Sequence, residues 1–202
     1  MKLLPNHLYH IYNQGNNQET LFYSTENYCY FLRLLQKFVS PVCDILAYCL
    51  MPNHFHFLIN TNENSTKPRI VGGLEMSTLA FGFKTLQSSF AQAINKQENR
   101  SGSLFGQKTK AKCLEIMGSD DSYQGHYPTT AFHYVHQNPM KAGLVQKMED
   151  WQFSSFSGYA GLSNESLCNK KLASQLLKLN QETFLRDSYL VINDKILIEF
   201  FE

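Results

Sequence analysis

Charge is scarce in this chain. Only 17% of residues are Asp, Glu, Lys or Arg, and 18 basic against 17 acidic side chains leave a net charge of +1 with histidine neutral. Proteins that bind nucleic acid through their whole electrostatic field carry a large positive excess. Any such binding here must come from a local basic patch. No run of eighteen apolar residues occurs, which excludes a membrane-spanning helix of ordinary length, so no membrane partner is expected. The five cysteines, Cys29, Cys43, Cys49, Cys113 and Cys168, are odd in number and include no CxxC pair. That argues against a zinc ribbon or a disulfide framework and for a reducing, cytoplasmic setting. No basic lead-in followed by an apolar run is present at the N-terminus, so no secretory signal is expected.

What is present is a core. The 202 residues are 43% hydrophobic and 13% aromatic, with fifteen Phe and eleven Tyr, which fits one soluble globular domain. Residues 7–13 alternate as a strand and break at Gly15. Residues 24–39 carry Tyr28, Phe31, Leu32, Leu35 and Phe38 at helical spacing behind a Ser24 or Thr25 cap. Residues 43–51 and 54–60 read as two strands joined by the Pro52-Asn53 turn, hence an antiparallel hairpin. Residues 61–73 are polar and read as a loop. Leu79, Phe83, Leu86, Phe90 and Ile94 predict a long helix over 77–97. A short strand follows at 111–117, then a loop or irregular helix at 118–128, then a helix at 129–138 that Pro139 closes. Residues 174–189 read as a C-terminal helical appendage. The fold class is α+β: a ferredoxin-like split β-α-β-β-α-β antiparallel sheet with helices on one face, plus the 129–138 helix and the appendage. That topology hosts many functions and fixes none.

Chemistry concentrates in two places. In MPNHFHFLIN (51–60), His54 and His56 share one face of a strand while Phe55 and Phe57 take the other. Two imidazoles side by side suit one metal ion, each with its second nitrogen left for an outer partner. An isolated pair of this kind is more often a surface feature or a satisfied core feature, so a third ligand has to be found. AFHYVHQNP (131–139) offers one. Tyr134 and Asn138 are four apart on a helix and share a face, with His133 and Gln137 as the neighbouring pair. A phenol can be a nucleophile and an amide oxygen a hard ligand. Two histidines and an amide leave positions for water and phosphate oxygens, which suits Mg²⁺ or Mn²⁺. Tyr134 also has a plain reading as a core tyrosine.

MPNHFHFLI, then YVHQNPMKAGLV and WQFSSFSGY, with YHIYNQGNN, ENYCYFLRLL and the GSLF turn at 102–105, resemble the REP-associated tyrosine transposases, relatives of the single-tyrosine HUH transposases. The resemblance covers about residues 5–160, taken as an HUH-type nuclease domain over 1–160. Residues 161–202 form a helical extension outside it. It implies a ferredoxin-like domain that cuts and rejoins single-stranded DNA near a hairpin. His54 and His56 would bind the metal, with Asn138 as the amide ligand and Gln137 its alternative. Tyr134 would be the nucleophile, forming a 5′-phosphotyrosine link and releasing a 3′-OH. One feature departs: relatives often carry Arg where this chain has Gln14.

Lys108, Lys110, Lys112, Arg100 and Lys141, with Lys84, are the basic residues available to hold phosphates, and Lys110 and Lys112 alternate onto one strand face. Two other readings stay open. One is a catalytically inactive or domesticated hairpin-binding module. The other is an unrelated metal-dependent hydrolase, disfavoured because no Asp or Glu flanks the histidines as a hydrolytic base, Asp44 lying ten residues from His54. The resemblance leaves both monomer and homodimer open.

Overall fold

The computed structural model describes residues 3–114 and 127–192. In chain order the elements are β1 (Leu8–Gln14), α1 (Thr25–Phe38), β2 (Cys43–Met51), β3 (His54–Thr61), a single turn α2 (Glu63–Thr66), β4 (Pro68–Val71), β5 (Leu74–Ser77), α3 (Thr78–Gln97), β6 (Lys110–Cys113), α4 (Tyr127–Lys141), α5 (Phe156–Tyr159), α6 (Lys170–Leu177) and α7 (Phe184–Ser188). Four strands form one antiparallel sheet in the order β2-β3-β1-β6. A late strand beside the first is what two interleaved β-α-β units produce, so the split arrangement expected from the sequence is the one formed.

The two faces of this sheet differ. On one, Phe55 and Phe57 of β3 meet Phe31 of α1 and Phe83 of α3, all fully buried. The helices are on this face because their apolar stripes match it. Ser24 and Asn27 cap α1 reciprocally, and Ser77 caps α3. The opposite face carries His54, His56, Tyr12 and Lys110 and is covered by α4, the tyrosine-bearing helix.

WQFSSFSGY holds α4 in place. Its residues 153–155 lie along the outer edge of β2, with the Leu50 N–H donating to the Phe153 carbonyl at 2.9 Å and the Ser155 N–H to the Tyr48 carbonyl at 3.0 Å. A free strand edge is thereby paired. Ser155 Oγ also lies 2.8 Å from His136 Nε2 on α4, and Phe132 of α4 packs edge-on against Tyr159.

Four expectations need correction. Residues 61–73 are not a loop throughout: they hold α2, all of β4 and the Gly72-Gly73 turn of a separate β4–β5 hairpin. Both glycines have positive φ, the backbone a two-residue hairpin turn demands. The strands escaped notice because Pro68, Arg69 and Ile70 are all exposed, so no alternation marks a buried side. Pro139 does not close α4, which runs to Lys141. The amide of Asn138 donates to the Tyr134 carbonyl at 2.9 Å and approaches the Val135 carbonyl at 3.5 Å, the group that Pro139 has no N–H to satisfy. The helix also begins at Tyr127 rather than at 129, with Pro128 in its first turn, where a proline costs nothing. The C-terminal appendage is two short helices, α6 and α7, because Lys178 turns left-handed between them. It packs on the same body through α4 and β2: the Asn169 N–H donates to the Ile45 carbonyl at 2.8 Å. The expected strand residues 115–117 and the expected loop over 118–126 lie outside the described residues.

Candidate nuclease site

The loop after β1 positions the first histidine. Gly15 donates its N–H to the Asn53 carbonyl at 2.7 Å, and the N–H groups of Leu21 and Phe22 both reach the Pro52 carbonyl. A Cβ at Gly15 would lie 2.0 Å from the Glu19 carbonyl oxygen, so only glycine allows this tight return. The Pro52-Asn53 turn is thus clamped from both sides. Asn53 Nδ2 donates to the Gln18 carbonyl at 3.3 Å, which leaves its Oδ1 2.7 Å from His54 Nδ1.

His56 is the more buried of the pair, at 2% exposed. Its Nδ1 lies 2.9 Å from Nε2 of His10 on β1, a residue outside the set expected from sequence. The His54 and His56 rings are 4.9 Å apart, and the Tyr134 ring stands edge-on to His56 at 6.0 Å. Tyr12 also lies 6.0 Å from His56. His54, His56, Tyr12, Gln14 and Tyr134 open into a cleft of about 610 Å³ whose rim includes Gln107, Lys108 and Lys110. Gln14 pairs directly with His54 across the strands.

Burial sets the protonation states. It lowers the His54 pKa to about 4, and it holds His56 well below the ordinary histidine value, helped by His10 and His54. Both rings are therefore neutral at pH 7. Burial, followed by Lys112, lowers His10 to about 3. Burial raises the Tyr134 phenol, and a hydrogen bond from the Asn138 side chain works the other way. The Lys141 ammonium stands 5.6 Å from the centre of the Tyr134 ring.

Among the described residues, no three His, Cys, Asp or Glu side chains converge on a metal position. The donor set is two neutral imidazoles. Both have Nδ1 engaged, the arrangement in which Nε2 is turned to an ion. Further ligands would have to be amide, water or phosphate oxygens, which fits Mg²⁺ or Mn²⁺.

The expected residues separate as follows. His54, His56 and Tyr134 come together. Lys108 and Lys110 line the same cleft, and Lys112 sits one step along β6 opposite His10. Asn138 shares the helix face of Tyr134 but spends its amide nitrogen on its own helix. Gln137 turns away: its amide donates to the Ser188 and Leu190 carbonyls at 2.8 and 2.9 Å, tying down the C-terminal segment. Arg100 is ion-paired with Glu19 and does not border the cleft. Lys84 borders a second recess of about 440 Å³, between α3 and residues 106–109, with Lys108 common to both. His10 and Tyr12 were missed, although both lie in the YHIYNQGNN segment and share the period-two face that ends at Gln14.

No protein-family model matches the chain. A curated Haemophilus influenzae protein described as a REP-associated tyrosine transposase is 23% identical over an alignment covering 56% of this chain and 58% of the relative's length. A solved structure of a REP-associated tyrosine transposase bound to a REP hairpin superposes with a TM-score of 0.53 at 13% identity, covering 82% of this chain and 93% of that one. No described helix is long and apolar enough to cross a membrane. The chain has the fold of a REP-associated tyrosine transposase and a sequence similar to one.

Proposed function

We propose that the protein is a transposase-like enzyme that cuts and rejoins single-stranded DNA beside a hairpin, with Tyr134 as nucleophile. The observation that carries this reading is Tyr134 standing 6.0 Å from His56 in a cleft shared with His54 and two lysines, all from one chain. That distance supports action in cis, without a partner's helix. The Tyr134 oxygen attacks the scissile phosphorus. The bond to the 3′-oxygen breaks, a 5′-phosphotyrosine forms, and the phenolic proton ends on the released 3′-OH. Attack by another 3′-OH reverses these steps and joins strands without an energy source, since the phosphoester is conserved in the link to tyrosine.

A buried phenol is a poor nucleophile until its proton leaves. The hydrogen bond from the Asn138 side chain works toward the phenolate, and Lys108 and Lys110 would hold the phosphate against it. His54 and His56 would hold Mg²⁺ or Mn²⁺, with Asn138 as the amide ligand. Such an ion supplies charge neutralisation at the phosphate.

The test is incubation with a hairpin bearing a single-stranded tail, from the gene's own flanks, with Mg²⁺. A covalent protein–DNA adduct should appear on a denaturing gel. Tyr134→Phe removes one oxygen and little volume, so the adduct should vanish while hairpin binding persists. An adduct that survives would move the role to another phenol, with Tyr12 in the same cleft ahead of Tyr127 at the start of α4. Hairpin binding with no adduct from the unaltered chain would favour a catalytically silent binding module. The Asn138 side chain, already engaged by its own helix, is the feature that supports this second reading.

A further inference from the structure

We propose that His10 is a positioning residue: it keeps the proton of His56 on Nδ1 and so presents the His56 Nε2 lone pair to a divalent cation. This rests on the metal-binding reading above and concerns a residue outside the ligand set.

The geometry leaves two choices. His10 Nε2 and His56 Nδ1 are 2.9 Å apart, and the rings lie nearly parallel with centroids 5.1 Å apart. Both are buried, at 1% and 2% exposed. Between two neutral imidazole nitrogens in such contact there is one proton. If it sits on His10, then His56 accepts at Nδ1, carries its own proton on Nε2, and has no lone pair for a metal. If it sits on His56 Nδ1, His10 is the acceptor and the lone pair of His56 is on Nε2, where a metal can use it. Only the second arrangement makes His56 a ligand.

His54 meets the same requirement differently. Its Nδ1 faces the Asn53 amide oxygen, which can only accept. The two histidines thus have separate outer partners, one local in sequence and one brought from β1 by the sheet. β1–β3 register sets His10 opposite Leu58 and therefore diagonal to His56, within reach of a ring-to-ring bond.

The experiment compares the unaltered chain, His10→Phe, His10→Gln and His54→Ala, without DNA. Mn²⁺ binding is followed by loss of the free-ion electron paramagnetic resonance signal, and thermal unfolding checks the fold. Phenylalanine fills the space without an acceptor, whereas the glutamine amide oxygen can accept. His10→Phe should bind Mn²⁺ about 10–100-fold more weakly, the usual cost of losing a ligand's outer partner. His10→Gln should stay close to the unaltered chain. Nitrogen-15 histidine spectra of the Mg²⁺-loaded unaltered chain should show His56 protonated on Nδ1, a readout that needs no variant. Equal Mn²⁺ affinity in His10→Phe, with loss in His54→Ala, would overturn this inference and leave the metal reading standing. So would a proton on His56 Nε2 in the loaded chain. No Mn²⁺ binding by the unaltered chain would overturn both.

Discussion

Gln137 and Asn138 are adjacent amides, and a helix sends adjacent side chains about 100° apart. They therefore cannot serve the same site. Gln137 faces the C-terminal segment, where its amide satisfies two carbonyls. Gln137→Ala should lower stability by about 1–3 kcal/mol, the cost of leaving the buried Ser188 carbonyl unpaired, and leave adduct formation by the folded protein unchanged. Asn138→Ala should suppress adduct formation. Denaturant melts and the adduct gel together decide the matter. A well-folded Gln137→Ala chain that no longer forms adduct would transfer the ligand role to Gln137. Sequence alone could not separate the two, since the answer depends on what packs against each side of α4. His54, His56 and Tyr134 were legible because strand and helix periods fix their faces locally. His10 was not, because it meets His56 across 46 residues of chain and only through the β1–β3 register.

The elements that position the site depend on close contacts between helices. Gly82 of α3 faces the end of α1, and a Cβ there would lie 2.4 Å from the Phe38 carbonyl oxygen. Replacing a mid-helix glycine by alanine ordinarily gains about 0.5–1 kcal/mol. Here the obstacle is backbone, which cannot swing aside, and overpacking of this kind costs about 1–3 kcal/mol. Gly82→Ala should therefore destabilise. A melting temperature equal to or above that of the unaltered chain would show that α1 can give way. Five of the six elements of the split β-α-β-β-α-β pattern, β1, α1, β2, β3 and α3, were readable to within about two residues: the helices bury one side, which imprints a period on the sequence, and the strands are buried runs bounded by turn residues. The sixth, β6, was placed, but the end of its expected span lies outside the described residues. The β4–β5 hairpin has no such side. The extent of α4 was misjudged because the proline rule assumes an uncompensated carbonyl, and Asn138 approaches that carbonyl. The edge role of WQFSSFSGY was invisible because it arises from pairing with β2, about a hundred residues earlier.

At the scale of the whole molecule the near-zero net charge and a DNA substrate are compatible, because the cations are not spread evenly. Lys108 and Lys110 border the cleft, Lys112 follows on β6, and Lys141 stands over Tyr134. Arg100, already paired with Glu19, adds little. The sheet forms the cleft's floor and α4 supplies Tyr134 above it, so in the proposed reaction the scissile phosphate would enter on a flexible strand. B-form DNA is stiff over about 150 base pairs and does not bend into such a space without large cost. A hairpin with a single-stranded tail should be cut, and the same sequence as full duplex should not. Tyr12 and Tyr134 offer aromatic surface for unpaired bases. With about four lysines displacing counterions from a single strand, the logarithm of affinity should fall with the logarithm of salt at a slope of about −2.8. Raising salt from 50 to 200 mM would then weaken binding roughly 50-fold. Lys110→Ala should reduce the slope by about 0.7. Filter binding across salt concentrations, with the unaltered chain and Lys110→Ala side by side, measures both. An unchanged slope in the variant would remove Lys110 from the phosphate path, and equal cutting of duplex would show that the strand does not enter between the sheet and α4.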